Sequence, residues 1–393
     1  MHARTGISLA TTTLLLLSST SAFAVDAEAF AERLKAVAQK QNMSLTFDSA
    51  EADGENVVLK GVSGAKADGK GKVAEITFEN VSGSTPDGWD VERVAFPDFD
   101  ETEDSTRTRI GGMVVEGLEL VGTSATDVPA AMKFSDFYFG SATIGSVEVE
   151  KDGKTVFSLA DASLSNEIGD DGAFTAEFDF GSFTADLTSG DDPEATKTIQ
   201  EVGYSTLSGE ISGSATWTPA SGLLELDPFD INVKDAGSLS FTYGISGYTP
   251  AFIESLQQLQ QQMAANPDNQ QASGMAVMGL ISQLYLNAAD ITFVDDSLTG
   301  KLLDYYAEKN GQTREQLIEG LIGMLPMFLS YLQNPDFQKD VTDAVTAYLN
   351  DPKSLSITVA PANPVPATQL IGAAMGAPQT LPGVLSLTVS AND

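Results

Sequence analysis

The feature that most constrains the fold is a regular alternation of apolar and polar residues between about residues 44 and 248. In AFTAEFDFGSF, residues 173–183, Phe174, Phe178 and Phe180 share one parity, and Thr175, Glu177 and Asp179 take the other. A period of two is typical of a strand with one apolar face. Turn sequences such as EKDGKT and GDDG recur between these runs, which favours hairpins over βαβ units. We therefore predict an antiparallel meander of roughly ten to fourteen strands.

Helical patterns occur before the alternating region, at residues 25–43, and after it, in residues 249–393. Residues 25–43 place apolar side chains at helical spacing, with acidic residues early and lysines late, as an amphipathic helix prefers. Three helix-start signals follow the predicted strands: Thr249 before a proline, Thr313 with a glutamine three residues on, and Asn334 before a proline. Such signals predict helix N-termini.

A long sheet with one apolar face cannot leave that face in water, so it must curl, take a helical cover or hold an apolar molecule. We expect an α+β fold built on a long, twisted antiparallel β meander or groove at residues 44–248. An N-terminal amphipathic helix at 25–43 precedes it. A helical cover with interspersed strands at 249–393 follows, and amphipathic helices, mostly from this last third, are expected to cover one face of the sheet.

The first 24 residues have the pattern of a cleavable secretory signal. A basic residue, Arg4, precedes a short apolar run, and small residues follow up to Ala24, which fits cleavage after that residue. The apolar run is shorter than the roughly 20 residues that cross a bilayer, which argues against an uncleaved anchor. We therefore expect export, with no membrane span after cleavage.

Composition excludes several functional classes. The chain has 55 acidic and 21 basic residues, for a net charge of −34, and such a field repels nucleic acid and anionic lipid surfaces. It contains no cysteine, and its one histidine, His2, lies in the predicted signal. Histidine- and cysteine-dependent nucleophiles and the usual zinc sites are therefore excluded. We expect a non-enzymatic protein without a metal or cofactor, and a carboxylate-based hydrolase is a remote alternative.

Asp295 and Asp296 lie between a predicted strand and a predicted helix and could be read as a catalytic pair. Neighbouring side chains point in different directions on both kinds of element, so the two carboxylates should not converge on one substrate atom. We predict instead that Asp296 or Ser297 caps a helix that the Asn310-Gly311 pair ends. A ligand or metal role is the alternative.

Two further motifs have a functional and a structural interpretation. The acidic segment PDFDETED, residues 97–104, offers oxygen ligands for calcium but lacks the glycine-bearing EF-hand pattern, which favours a solvated turn. The sequence SGAK, residues 63–66, matches the S-x-x-K pattern without its partner motifs. We predict that it is a loop.

The most apolar helical segment is QLIEGLIGMLPMFLSYL, residues 316–332, with a single charged residue. Together with nearby methionines it forms a deformable apolar surface that suits an irregular ligand, although ordinary burial against the sheet would also explain it. The candidate ligand-binding residues are Phe174, Phe178, Phe180, Met275, Met278, Leu321, Leu325, Phe328 and Leu332.

The segment SGSATWTPASGLLELDPFDINVKDAGSLSFTYGISG, residues 212–247, resembles the C-terminal β region of AsmA-like envelope proteins. FVDDSLTGKLLDYYAEKNGQT, residues 293–313, is similar to the segment that follows it in related proteobacterial periplasmic proteins. The similarity covers 205–390 and consists of structural glycines and aspartates. It implies a periplasmic location, an apolar sheet groove, outer-membrane homeostasis and phospholipid handling. This chain is shorter than AsmA proteins and keeps no predicted anchor, which argues against an envelope-spanning bridge.

Two functions fit these expectations. In the first, the protein is non-enzymatic and periplasmic, and binds a phospholipid or another apolar ligand in a groove between sheet and helices. In the second, it is a structural or interaction scaffold for other envelope proteins, and its own helices cover the apolar face completely. An open groove would favour the first function over the second.

Overall fold

The computed structural model of the protein describes residues 25–41, 43–64, 72–190, 192–265 and 270–393. The predicted signal peptide lies outside the described residues, as do Ala65 and Lys66 of the SGAK motif.

One open antiparallel sheet of 19 strands runs through the described part of the chain, which confirms the α+β class and the antiparallel arrangement. The strands are β1 (Leu45–Thr46), β2 (Ser49–Asp53), β3 (Asn56–Gly64), β4 (Lys72–Ser84), β5 (Gly88–Ala95), β6 (Phe99–Glu103), β7 (Thr106–Gly111), β8 (Val114–Val121), β9 (Phe137–Tyr138), β10 (Ser141–Lys151), β11 (Lys154–Ile168), β12 (Phe174–Asp186), β13 (Thr206–Thr218), β14 (Leu223–Val233), β15 (Gly237–Ser246), β16 (Tyr285–Asp295), β17 (Ser354–Val359), β18 (Val365–Pro366) and β19 (Leu387–Ala391). The helices are α1 (Ala27–Lys40), α2 (Ala130–Lys133), α3 (Pro193–Val202), α4 (Pro250–Ala265), α5 (Gln270–Ile281), α6 (Leu298–Lys309), α7 (Arg314–Leu329), α8 (Pro335–Asn350), α9 (Ala367–Gly376) and α10 (Leu381–Leu385), with 3-10 turns at Ser330–Leu332 and Pro378–Thr380.

Strands that follow one another along the chain are mostly neighbours in the sheet. The β5–β6 and β7–β8 segments pair as one long interrupted hairpin, and β10 to β16 form a continuous meander. Helices lie in the later connections: α3 between β12 and β13, α4 and α5 between β15 and β16, and α6 to α8 between β16 and β17. The first strands pair with β3 at one edge, and β19 pairs with β17 at the other.

The three helix-start signals are confirmed. The Thr249 hydroxyl accepts a hydrogen bond from the amide of the third residue on, at the start of α4. Thr313 and Gln316 form the reciprocal capping box of α7, and the Asn334 side chain caps α8. In each case a side-chain oxygen satisfies an amide that the first helical turn leaves unpaired.

The short helix α2 and the longer helix α3 correct the sequence prediction, which places only strands between residues 44 and 248. The signals for α3 are clear. The Asp192 carboxylate accepts from two amides of the first turn, Pro193 takes the first helical position, and Gly203 ends the helix with φ of 86°. These are standard start and stop signals, but they lie in a short segment between two strongly alternating runs. The described part of residues 44–248 holds fifteen strands, β1 to β15, rather than ten to fourteen, because β1 and β9 have only two residues each.

A compact apolar cluster, the N-terminal core, joins α1 to the first strands. Phe30 of α1 is completely buried. Its ring packs edge-on against Phe78 at 5.1 Å and Trp89 at 5.6 Å between centroids. Buried aliphatic residues of β3, β5 and β8 surround these rings. The predicted amphipathic helix is thus confirmed, with bounds slightly inside 25–43.

A continuous apolar row crosses the sheet from this core to the opposite edge. Residues directly paired on neighbouring antiparallel strands point to the same side, so one series of pairs traces one face. The row consists of Val57, Phe78, Val94, Val115, Ala142, Leu164, Phe178, Gly213, Phe229, Phe241, Ile291, Ile357 and Val389. Its one glycine, Gly213, leaves room for the Phe178 ring, because a Cβ there would lie 2.5 Å from that ring.

Burial decreases along this apolar row. Val57 is 0% exposed beneath α1, whereas Ile291 is 43% and Ile357 is 41% exposed. The face that α1 covers at one end of the sheet is therefore partly open at the other end.

A line of irregular residues keeps apolar side chains on this face. Four such residues lie next to one another across the sheet: Gly112 between β7 and β8, Gly145 in β10, Asp161 in β11 and Gly181 in β12. Three of them have positive φ, of 67° at Gly112, 60° at Asp161 and 55° at Gly181. In β12 the apolar residues are at even positions before Gly181, as the sequence predicts, but at odd positions after it, beginning with Phe183. The irregularity at Gly181 shifts the alternation of faces by one residue, as β-bulges do, so the apolar side chains before and after it lie on the same face.

Candidate apolar binding site

An apolar cavity of about 360 Å³ lies between the apolar face and helices α3 and α6. Every solvent-accessible atom of its wall is apolar. The sheet contributes Leu207, Ile231, Leu239 and Phe293, and the helices contribute Ile199 and Leu302, among others.

The pairing register of β14, β15 and β16 determines which side chains form the floor of this cavity. Leu239 of β15 is paired with Ile231 of β14 on one side and with Phe293 of β16 on the other, so the three side chains project together. Leu239 is 37% exposed, which is high for a leucine in the interior of a sheet. The floor is therefore an accessible apolar surface.

Tyr204 fixes the end of α3 to the start of α6. Its side chain is buried, and its hydroxyl lies 2.9 Å from Ser297 Oγ and donates to the backbone oxygen of Asp235 at 3.1 Å. Ser297 Oγ also donates to that oxygen, at 2.5 Å. These bonds hold the two helices and the β14–β15 turn around one end of the cavity.

The same bonds explain how α6 is capped. Ser297 is the N-cap residue, but its hydroxyl does not cap the helix; it bonds to Asp235 instead. The Asp295 carboxylate accepts from the Thr299 amide at 2.7 Å. The prediction of a helix start here is confirmed, but the choice of Asp296 or Ser297 as the capping side chain is wrong. At the other end, Asn310 and Gly311 end α6 as predicted.

A second cavity, the interhelical cleft, lies between α3 and α6 and has a volume of about 820 Å³. It is lined by charged residues, which include Lys197, Lys301, Lys309, Glu194, Glu201 and Glu308. Thr198 and Val202 line both this cleft and the apolar cavity, so the two cavities adjoin along α3.

Hydrogen bonds organise one wall of the interhelical cleft. The Tyr305 hydroxyl lies 3.2 Å from the Thr198 hydroxyl and accepts from Lys309 Nζ at 3.1 Å. The bond to Thr198 and the bond to Lys309 lower the pKa of Tyr305, and the bond to Tyr305 raises the pKa of Lys309. Lys309 is therefore engaged by the hydroxyl and the ring of Tyr305.

The nine candidate ligand-binding residues fall on three separate surfaces. Phe174, Phe178 and Phe180 lie on β12. The ring centroid of Phe178 lies 5.5 Å from that of Phe180 and 5.8 Å from that of Phe229. Met275 and Met278 lie exposed on α5, which packs against α4. The remaining candidates lie on α7, which packs against α6 and α8, and on the 3-10 turn after it: Leu321, Leu325, Phe328 and Leu332.

Among the described residues, the wall of the apolar cavity includes none of these nine. Their role in binding stays a prediction. The cavity residues that sequence reasoning missed are on β13 to β16, α3 and α6. Asp192 followed by Pro193 is the signal that could have found α3 and, with it, the roof of the cavity.

The acidic segment 97–104 is exposed to solvent over β6, as expected, but it forms an edge strand rather than a turn. β6 occupies most of it and pairs with β7. Arg107 contacts both carboxylate oxygens of Asp100, at 2.7 and 2.6 Å, and this bidentate bond lowers the pKa of Asp100. Over the described ranges, no group of three histidine, cysteine, aspartate or glutamate residues could hold a metal ion.

A family model described as "Uncharacterized protein" matches residues 230–392. No curated protein matches the chain. The matched residues include β15 to β19 and all helices from α4 onward, whereas α3 and β13 lie before them. None of the described helices has the length and apolar character needed to cross a membrane.

Proposed function

We propose that this protein is a non-enzymatic periplasmic protein that binds a lipid or another apolar ligand between its sheet and its helices, and that it contributes to outer-membrane homeostasis. The observation that supports this proposal most strongly is the apolar cavity under α3 and α6. Its volume of about 360 Å³ falls within the usual range of roughly 300–1,000 Å³ for small-molecule sites.

The energetics of the cavity favour occupation by an apolar molecule. The apolar wall of the cavity is open to water, and Leu239 on its floor is 37% exposed. An apolar ligand would remove Leu239, together with its neighbours, from water, which is favourable for apolar surface. Binding would therefore stabilise the folded protein.

The apolar row suggests where a longer ligand would extend. Phe241 and Ile291 lie two residues from Leu239 and Phe293 on the same strands, so they continue the cavity floor on the same face. In this proposal the twisted sheet forms a groove, and amphipathic helices cover one face of the sheet. Helix α1 closes one end of the groove, and α3 and α6 cover it near the other end.

A different surface favours the alternative, an interaction protein of the envelope. Met327, Phe328 and Tyr331, at the end of α7 and just after it, and Met375 of α9 are all more than half exposed. The Tyr331 hydroxyl donates to the backbone oxygen of Ala374, which joins the two segments. Exposed apolar clusters of this kind occur at protein contact sites.

A substitution on the cavity floor tests the ligand-binding proposal. Leu239→Asp puts a carboxylate against the apolar wall, and desolvation of that carboxylate should weaken binding of 1-lauroylglycerol by more than about tenfold. The measurement is isothermal titration calorimetry of the mature protein below the critical micelle concentration of the lipid.

Val294→Asp is the matched control. Val294 is 46% exposed and follows Phe293, so it lies on the opposite face of β16. This variant should bind as tightly as the wild type. If Leu239→Asp stays folded and binds with wild-type affinity, or if the two variants lose the same affinity, the cavity is not the binding site.

A further inference from the structure

The apolar cavity and the interhelical cleft meet at two points. Thr198 and Val202 of α3 line both. At the second point, Lys301 of the cleft lies with its Nζ 3.9 Å from the ring centroid of Tyr204, which lines the apolar cavity. One molecule could therefore occupy both spaces if it has an apolar part and a charged part.

Lys301 is the cation of the cleft that is best placed for a ligand. Lys197 pairs with Glu201 at 3.5 Å, and Lys309 donates to Tyr305. Within the part of the chain that the structure describes, no carboxylate oxygen lies within 4.0 Å of Lys301 Nζ. Its ammonium instead lies over the Tyr204 ring, at the boundary of an apolar space. An anionic group there would gain a charge-assisted hydrogen bond in partly desolvated surroundings.

The charge of the cleft differs from that of the whole chain. The chain has 21 basic and 55 acidic residues, whereas lysines and acidic residues are nearly balanced in the cleft, at three to four. The lysines are Lys197, Lys301 and Lys309, and the acidic residues are Glu194, Glu201, Asp304 and Glu308. Asp304 is already paired with Arg314, at 2.6 Å. A ligand that carries only a negative charge would meet the remaining carboxylates as well, so a group with both charges fits better.

We propose that the ligand is a single-chain zwitterionic amphiphile of the lysophospholipid class. Its acyl chain fills the apolar cavity, its phosphate contacts Lys301, and its ammonium lies near Glu194 or Glu308. A volume of about 360 Å³, at the lower end of the range for ligand sites, suits one acyl chain better than two. This inference rests on the proposed function, because it names the ligand of the same cavity.

Three probes with the same lauroyl chain separate the headgroup from the chain: lauroyl lysophosphatidylethanolamine, laurate and 1-lauroylglycerol. Calorimetry of the mature protein should give the highest affinity for the lysophospholipid. Lys301→Gln should weaken its binding by about tenfold, the effect of one lost charge-assisted hydrogen bond, and should leave the affinity for 1-lauroylglycerol unchanged. Lys339→Gln is the control, because Lys339 lies on α8, is mostly exposed and pairs with Asp343.

The outcomes distinguish the two proposals. If all three probes bind equally and Lys301→Gln has no effect, the headgroup inference is overturned while the ligand-binding function stands. If laurate binds more tightly than the lysophospholipid, the ligand is a simple anion and the zwitterionic assignment is wrong. If none of the three binds, the proposed function itself fails.

Discussion

Replacing Phe30 with alanine is expected to lower the free energy of unfolding by about 3–5 kcal/mol. Phe30 is 0% exposed, and its ring contacts Phe78 and Trp89 edge-on. Removing the ring leaves a space that a helix packed on a paired sheet cannot close easily. The measurement is urea unfolding followed by the fluorescence of Trp89, in a background with Trp217→Phe, which removes the other tryptophan.

Phe328→Ala is the control for this large effect. Phe328 is 67% exposed on α7, so its removal should change the free energy of unfolding by less than about 1 kcal/mol. If Phe30→Ala costs no more than Phe328→Ala, α1 does not anchor the first strands. The covered end of the apolar row would then have to be reassigned.

Gly181→Ala is expected to cost at least about 2 kcal/mol of folding free energy, because two unfavourable effects combine. Gly181 has φ of 55°, a conformation that an alanine adopts only with strain. A Cβ at this position would also lie 1.9 Å from the backbone oxygen of Ala160 on the neighbouring strand. Relief of this contact requires separation of β11 and β12 at the point where the apolar parity changes. Urea unfolding is again the measurement.

Gly172→Ala separates the two effects. Gly172 has φ of 78°, but no heavy atom lies within 4 Å of a Cβ placed there. The Gly172→Ala replacement should therefore lower the free energy of unfolding only by the cost of a positive φ at alanine, about 1 kcal/mol. Equal losses for the two variants would show that the close approach of β11 to Gly181 adds no steric cost, which would contradict this packing.

Local patterns in the sequence predict much of the secondary structure, because local interactions determine it. The alternation around Phe174 and Phe178 predicts strands with one apolar face, and the capping pairs at Thr313 and Asn334 predict the starts of α7 and α8. These signals act over a few residues, so no knowledge of the tertiary structure is needed.

The apolar cavity could not be predicted in the same way, since it depends on contacts between distant segments. Ile199 and Leu239 line the same cavity only because α3, in the connection between β12 and β13, lies over β15. The change of parity at Gly181 can be read in the sequence, but only the register with β11 shows that an irregularity offsets it. The hydroxyl of the N-cap residue Ser297 bonds to Asp235, 62 residues earlier, and the Asp295 carboxylate accepts from the first-turn amide of Thr299 instead.

Native mass spectrometry of the protein purified from the cells that naturally produce it tests most directly whether the apolar face carries a ligand, as proposed above. Solvent extraction and lipid analysis of the same sample identify what is bound. The account predicts a stoichiometric adduct that extracts as a lipid, that is reduced in Leu239→Asp and that is retained in Val294→Asp. A wild-type protein that shows only its own polypeptide mass, and that takes up no added lysophospholipid or 1-lauroylglycerol, would contradict that proposal.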